Sequence, residues 1–272
     1  MPQRSRPEAG RFAGSIAIVT NSAAIGQEAR AGAAGGRQDQ AAARRRGMVI
    51  AVDGPAGSGK SSAARGAACA LGLRYLDTGA MYRALTWWLL AHDVDVSSPV
   101  AVAEQARCPV LEIGTDPVAP DIRVDGTDVA APIRSRAVSN AVSAVAAVPQ
   151  VRSYLVGMQR QIIAESRAAG DGIVAEGRDI GTVVAPDAPV KVFLTATEAV
   201  RASRRSADLA ADPAATVAVT LAEQARRDAA DAPQMARAPD AIEIDTTGLG
   251  LADVIAEIAA LVDARTADAW RT

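Results

Sequence analysis

The sequence predicts an α/β fold with three layers, in which helices cover both faces of a central parallel sheet. Three observations predict it. Short apolar runs alternate with helical segments along the chain, a pattern typical of parallel sheets. Polar residues follow these runs at their carboxyl ends, where such sheets bind ligands. A glycine-rich loop joins the first apolar run to the first helix.

The first apolar run, residues 48–52, is predicted to be a buried strand that leads into GPAGSGKSS, residues 54–62. The spacing G-x-x-x-x-G-K-S between a strand and a helix is that of a phosphate-binding P-loop. Its glycines lack Cβ, so the backbone can close around an anion and direct N–H groups at it. The helix N-terminus and Lys60 add positive charge, and the Ser61 hydroxyl is suited to ligate Mg²⁺.

The later elements follow from periodicity and turn signals. A helix over residues 61–71 should stop at Gly72, and a short strand over 73–76 precedes DTGAMYR, residues 77–83. Alternation over residues 108–128 predicts a small antiparallel hairpin outside the main sheet. Helices are predicted over residues 137–147, 149–164, 201–228 (interrupted near Pro213) and 251–262, and strands over 173–176, 190–194 and 241–244.

The composition sets limits on the class of protein. The length of 272 residues suits one α/β domain with an insertion, or two small domains. The net charge of −2 gives no basic excess, so neither nucleic acid nor a membrane surface is indicated as a partner. His92 is the only histidine, and Cys69 and Cys108 lack metal-ligand or redox spacing. No apolar stretch reaches the ~18–20 residues of a membrane span, and we expect a cytoplasmic protein.

Residues 1–47 differ from the rest of the chain, because Arg, Gln, Gly and Ala dominate there. Two interpretations remain: a disordered tail, or upstream sequence translated from a misplaced start with Met48 as the true first residue. A signal peptide over residues 12–20 fits poorly, because that stretch has low hydrophobicity and is followed by Asn21.

A P-loop alone indicates a nucleotide and not a reaction. GTP-binding switches also need an N-K-x-D sequence, and neither Asn21 nor Asn140, the only asparagines, begins one. Several arginines lie in sharp local patterns apart from the loop. Arginine forks hold phosphate oxygens and stay charged, as the transfer of a phosphoryl group between two anions requires.

Six stretches resemble the bacterial cytidylate kinases: VDGPAGSGKSS, YLDTGAMYR, SNAVSAVAAVPQVR, EGRDIGTVVAPDAPVKVFLTA, RASRR with the later RRDAAD, and DTTGL. The resemblance runs from about Val49 to Val262 and implies a P-loop nucleoside monophosphate kinase over residues 48–265. It implies a nucleotide-monophosphate-binding insertion at about 98–165 and a mobile lid at about 201–228. The implied reaction transfers the γ-phosphoryl group of ATP to CMP or dCMP with Mg²⁺, in a monomer.

The resemblance also implies residue roles. Lys60, Arg178 and Arg227 would be catalytic, and Ser61 would be the metal ligand. ATP would be bound by Gly54, Pro55, Ala56, Gly57, Ser58, Gly59, Lys60, Ser61, Ser62, Arg201, Arg204 and Arg205. The acceptor would be bound by Thr78, Tyr82, Arg83, Ser143, Arg152, Arg178, Asp179, Arg227 and Asp231.

The chemistry of cytosine agrees with these roles. A carboxylate at Asp179 can accept from the N4 amino group, while Ser143 or Arg152 donates to N3. Uracil reverses both groups, and mismatched buried polar groups discriminate strongly. Another small-molecule kinase of this fold, or a P-loop regulatory module that hydrolyses ATP slowly, remains an alternative. The carboxylate partner of Mg²⁺ is open between Asp77 and Glu176.

One position departs from the family pattern. The family has an arginine three residues after the position of Asp231, where this chain has Gln234. Either Arg237 reaches the same phosphate, or one contact to the migrating group is absent. In the second case we expect lower turnover and the same reaction.

Overall fold

The computed structural model describes residues 45–208 and 217–268, so the predictions for residues 1–44 and for the interruption near Pro213 lie outside the described residues. The strands are β1 Val49–Asp53, β2 Arg74–Asp77, β3 Leu111–Ile113, β4 Ile122–Val124, β5 Thr127–Asp128, β6 Ile173–Gly177, β7 Val190–Thr195 and β8 Ile242–Asp245. The α-helices are α1 Lys60–Leu71, α2 Thr78–Ala91, α3 Pro99–Gln105, α4 Arg136–Ala146, α5 Pro149–Ala168, α6 Glu198–Asp208, α7 Val217–Asp231 and α8 Leu251–Asp268.

The main sheet has five strands in the order β2-β6-β1-β7-β8, and every pairing in it is parallel. β1 is the central strand and all five of its residues are buried. Its last residue, Asp53, lies opposite Gly177 of β6 and Phe193 of β7. The carboxyl ends of three strands therefore meet at one edge, and the predicted fold class is confirmed.

Two hydrophobic cores lie on the two faces of this sheet, because successive strand residues point to opposite sides. Val49 and Ala51 belong to a core shared with α2 and α5. Ile50 and Val52 belong to a second core shared with α1 and α8. The three-layer arrangement follows from this division.

The insertion between α2 and β6 carries the predicted hairpin, which forms a separate antiparallel sheet in the order β3-β4-β5. The sequence reading missed the short helix α3. Its signals are the side chain of Ser98, which accepts from the N–H of Ala101, and a proline in the first turn.

Element ends agree with the local chemistry. Gly72 ends α1 with a left-handed φ of 66°, as predicted. The sequence reading missed the wide helical turn over Ile180–Val184, directly after Asp179. Both cysteines are exposed, Cys69 on α1 and Cys108 just before β3. Within residues 45–208 and 217–268, no helix is long and apolar enough to cross a membrane.

Candidate active site

The glycine loop between β1 and α1 has the backbone that its spacing predicts. Gly54, Gly57 and Gly59 have φ values of 146°, 78° and 90°, which L side chains rarely adopt. A Cβ on Gly54 would lie 2.2 Å from the carbonyl oxygen of Leu194, and one on Gly57 would lie 2.8 Å from that of Arg201. The loop is therefore pressed between β7 and α6, and only glycine fits at these two positions.

The ammonium group of Lys60 lies across this loop. Its Nζ donates to the carbonyl oxygen of Pro55 at 2.9 Å. Burial lowers the pKa of Lys60 to about 8, and the neighbouring carboxylate of Glu176 opposes that shift. The loop thus holds a cation that is poorly hydrated and suited to an anionic ligand.

Three carboxylates, Glu176, Asp53 and Asp77, act on the charge of Lys60, and Glu176 and Asp77 have different surroundings. Glu176 is 3% exposed and accepts a hydrogen bond from the Tyr75 hydroxyl at 3.0 Å, and the Ser61 hydroxyl lies near enough to lower the pKa of Glu176. Burial, with the neighbouring Asp77, raises the pKa of Glu176. Asp77 instead caps α2, accepting from the N–H of Ala80 at 2.7 Å, and pairs with Arg83 at 3.1 Å. Glu176 is therefore the carboxylate in contact with Ser61.

A cluster of guanidinium groups lies beyond the loop. Burial lowers the pKa of Arg227 to about 10, and the charges of Arg178 and Arg205 add to that shift. The Nε of Arg227 is buried without a hydrogen-bond partner in the described part of the chain. Arg178 pairs with Asp231 at 2.8 Å. Such concentrated positive charge is unfavourable by itself and is suited to a bound anion.

Polar side chains of α4 and α5 form a second set of candidate site residues. Arg152 pairs with Asp179 and donates to Oε1 of Gln234 at 3.0 Å. The Oγ of Ser143 is buried and has no partner among the described residues. A buried polar atom without a partner costs ~1–3 kcal/mol, so a ligand with a complementary donor or acceptor would be favoured here.

Gln159 and Tyr82 line the same region, and the sequence reading missed Gln159. Its side chain is 1% exposed, its Nε2 is buried without a hydrogen-bond partner among the described residues, and it lies beside the Tyr82 hydroxyl. Burial raises the pKa of Tyr82 to about 12. The available signal was a polar residue one helical turn beyond Leu155 and Val156, within an otherwise apolar stripe.

The three arginines of α6 all have protein partners. Arg201 donates to the Ala56 carbonyl at 3.1 Å and pairs with Asp228 at 2.5 Å, so it contacts the glycine loop. Arg204 donates to the hydroxyl and carbonyl oxygens of Thr246, at 2.9 and 2.8 Å. Arg205 donates to the Ser139 hydroxyl of α4 at 3.1 Å, on the side of the guanidinium cluster.

The segment after α7 contains Gln234 and Arg237, the two residues that bear on the missing arginine. Gln234 contacts Arg152, and Sδ of Met235 lies 3.4 Å from Nη1 of Arg178. Arg237 instead pairs with Glu243 of β8 at 2.7 Å, and both side chains are about half exposed. In this structure Arg237 is therefore paired away from Arg178 and Arg152.

The predicted site residues fall into two neighbouring groups, with one residue between them. The loop group contains Gly54, Pro55, Ala56, Gly57, Ser58, Gly59, Lys60, Ser61, Ser62, Arg201 and Arg204. The second group contains Tyr82, Arg83, Ser143, Arg152, Arg178, Asp179, Arg205, Arg227 and Asp231. Thr78 lies between them, and its hydroxyl donates to the Glu176 carbonyl at 2.7 Å.

Comparison with known proteins gives consistent results. A sequence model described as cytidylate kinase matches residues 50–264. A cytidylate kinase of Streptomyces avermitilis is 49% identical over 81% of this chain and 94% of its own length. One of Streptomyces griseus is 49% identical, with coverage of 80% and 94%. One of Rhodococcus jostii is 46% identical, with coverage of 80% and 96%.

Proposed function

This chain belongs to the cytidylate kinase family, and on that premise we propose that it transfers the γ-phosphoryl group of ATP to CMP or dCMP. The products are ADP and CDP or dCDP. One observation carries the proposal: a glycine loop with a partly buried ammonium group adjoins a cluster of guanidinium groups, in which the pKa of Arg227 falls to about 10. Two separate anion sites of this kind fit a donor and an acceptor that are both phosphorylated.

ATP binds to residues 54–62, whose backbone N–H groups and helix N-terminus hold its phosphates. Lys60 neutralises the β- and γ-phosphates. Arg201 and Arg204 lie against the loop and its flank, so α6 and α7 act as the lid over the donor phosphates. Closure of this lid excludes water, which would otherwise hydrolyse ATP.

The donor set at Ser61 fits Mg²⁺. Its hydroxyl and the Glu176 carboxylate are hard oxygen ligands, and the hydroxyl lies near enough to Glu176 to lower the pKa of that carboxyl, next to Lys60. In the described part of the chain, no group of three or more His, Cys, Asp or Glu side chains is arranged to hold a metal. Mg²⁺ would therefore be held by Ser61 and Glu176 together with phosphate and water oxygens. When bound, it neutralises charge on the donor phosphates.

The acceptor binds in the insertion, residues 98–165, and against the turn after β6. Arg83, Arg178 and Arg227 hold its phosphate, and Thr78 and Asp231 lie where they can meet its sugar and phosphate. Asp179 accepts from N4 of cytosine, and either Ser143 or Arg152 donates to N3. The unpartnered Oγ of Ser143 supports this role. UMP would set a carbonyl against Asp179 and leave buried polar groups mismatched.

The reaction is an in-line transfer without a covalent enzyme intermediate. The acceptor phosphate of CMP is already an anion, so its nucleophilic oxygen needs no general base. Catalysis consists of positioning the two nucleotides and neutralising the migrating group with Lys60, Arg178 and Arg227. Gln234 brings no charge to this group, so we expect a lower turnover than an arginine there would give.

A coupled assay of ADP release tests the function with CMP, dCMP, UMP, AMP, GMP and shikimate as acceptors. We expect rapid turnover with CMP and dCMP and slow turnover with the others. A preference for UMP or shikimate would indicate another kinase of this fold. ADP release at the same rate without any acceptor would indicate a P-loop hydrolase module and would overturn the proposal.

A further inference from the structure

Asp53 is a buried carboxylate whose two oxygens both bind backbone. It is the last residue of β1 and only 6% exposed. Oδ1 accepts from the N–H of Ile180 and Oδ2 from the N–H of Gly181, each at 2.8 Å. The partners are 127 and 128 residues away in the sequence. The carboxylate therefore acts on the conformation of another segment and does not depend on contact with a substrate.

The segment that Asp53 holds is the one that carries the acceptor residues. The β1–β6 ladder ends with Asp53 opposite Gly177, so Arg178 and Asp179 lie beyond the last paired residue of β6. The backbone of Asp179, with φ −144° and ψ 27°, has left the strand. The next two N–H groups are those that Asp53 binds. These two hydrogen bonds continue the connection between β1 and the segment after β6, beyond the last paired residues of the two strands.

Asp53 is also adjacent to the donor loop, because the next residue is Gly54. One carboxylate therefore joins the start of the loop to the turn that presents Arg178 and Asp179. Its charge is held at a cost: burial raises the pKa of Asp53 to about 6, the Asp179 carboxylate adds to that shift, and Lys60 and the two N–H groups oppose it. The two oxygens of one carboxylate allow it to accept from two neighbouring N–H groups at the same time.

We propose that Asp53 is a positioning residue for the acceptor, which fixes Arg178 and Asp179 relative to the donor loop through the N–H groups of Ile180 and Gly181. The inference rests on the proposed function and deepens it, because it assigns base discrimination to a residue that does not face the base. Loss of the carboxylate should move the turn and weaken recognition of cytosine, while the donor loop keeps its own glycine conformation.

Asp53→Asn tests this directly. The amide keeps one acceptor and turns an NH₂ group toward a backbone N–H, so one hydrogen bond is lost and a donor faces a donor. We expect the KM for CMP to rise ~10-fold or more and the ratio of kcat/KM for CMP over UMP to fall by a similar factor. The KM for ATP should stay within ~2-fold, because its contacts lie in the loop.

Two further variants make the test specific. Gly181→Ala crowds the same turn from the other side, since its Cβ would lie 3.2 Å from Cδ of Lys191 and 3.4 Å from Oδ2 of Asp53. It should raise the KM for CMP by a smaller factor than Asp53→Asn, and its KM for CMP is the test if Asp53→Asn does not fold. The matched control is Asp187→Asn, which removes an exposed carboxylate paired with Arg167 at 3.3 Å and should leave both KM values unchanged.

The outcomes separate the inference from the proposed function. If wild-type protein phosphorylates CMP and the two turn variants keep its KM for CMP and its preference over UMP, the positioning role is wrong. The role is also wrong if the KM for ATP rises in parallel with that for CMP, since Asp53 would then shape only the loop. Failure of the proposed function would appear as wild-type protein inactive with CMP.

Discussion

The guanidinium of Arg152 on α5 is paired with the carboxylate of Asp179, two residues beyond the end of β6. The pairing forms before any base is bound, and the two side chains are 22% and 11% exposed. The Arg152–Asp179 ion pair joins the insertion to the end of the central sheet, where we propose that cytosine binds. Because the donor and the acceptor are already oriented, binding of the base needs little further ordering.

Arg152→Met should abolish most base discrimination. The substitution removes a donor to the base and leaves Asp179 without its partner, so we expect kcat/KM for CMP to fall ~100-fold or more and that for UMP to change much less. Steady-state kinetics with both acceptors measure this. The matched control is Arg167→Met, a surface arginine paired with Asp187. Undiminished preference for CMP would contradict the assignment of Arg152.

Gln234→Arg should raise turnover. A guanidinium at this position can neutralise the migrating phosphoryl group, and we expect kcat to rise ~10-fold or more, with the KM for ATP little changed. Arg237→Gln is the control, because Arg237 is paired with Glu243 on the protein surface and should contribute nothing to kcat. A large loss of activity in Arg237→Gln would show that Arg237 reaches the phosphate after all.

Lys60→Met should remove CMP phosphorylation and leave the fold intact. The loop loses its only cation, whose Nζ now bonds to the Pro55 carbonyl, and we expect kcat to fall ~10³-fold. The coupled ADP assay measures the loss, and circular dichroism with a thermal melt tests folding. Near-normal activity in a folded variant would refute the assignment of the donor site.

Asp53 should make stability depend on pH in the acid range. Its pKa is about 6 in the folded protein against an ordinary 3.8, so the folded state binds more protons between these values. Asp53 therefore adds stability below about pH 4, which is lost as the pH rises to about 6. Urea unfolding across this range should show wild type losing up to ~3 kcal/mol relative to Asp53→Asn. Parallel curves for the two proteins would contradict this. The charged groups that act on Asp53 are Asp179 and Lys60, and both are present in wild type and in Asp53→Asn.

Glu223→Gln should weaken the contact between the lid and the insertion. Arg136 of α4 donates to Oε1 of Glu223 on α7 at 3.0 and 2.6 Å. The pair is partly exposed, so we expect less than ~1 kcal/mol of lost stability, and a ~2–5-fold rise in both KM values because closure is less favoured. Glu243→Gln breaks a comparable surface pair and is the control. A fall of many degrees in Tm without a change in KM would indicate a purely structural pair.

The sequence predicted best what is local in the chain. The loop over residues 54–62 and the cluster Arg178–Asp179 are each encoded by neighbours, so their geometry follows from glycine conformation and strand ends. Hydrogen bonds between residues far apart in the sequence depend on the strand order β2-β6-β1-β7-β8, and they were not predictable in this way. The bonds from Asp53 to Ile180 and Gly181, and from Arg152 to Gln234, depend on how distant segments meet. Gln159 was missed because its neighbours on the helix, Leu155, Met158 and Ile162, form an apolar stripe that indicates core packing.

The two thiols have a practical consequence. Cys69 lies on the helix after the glycine loop and Cys108 in the insertion, both are exposed, and the chain has no other cysteine. A pair of fluorescent dyes attached there would report the distance between the core and the insertion by energy transfer, with no engineered attachment points. Motion of the insertion during turnover can thus be followed in the protein with its natural sequence.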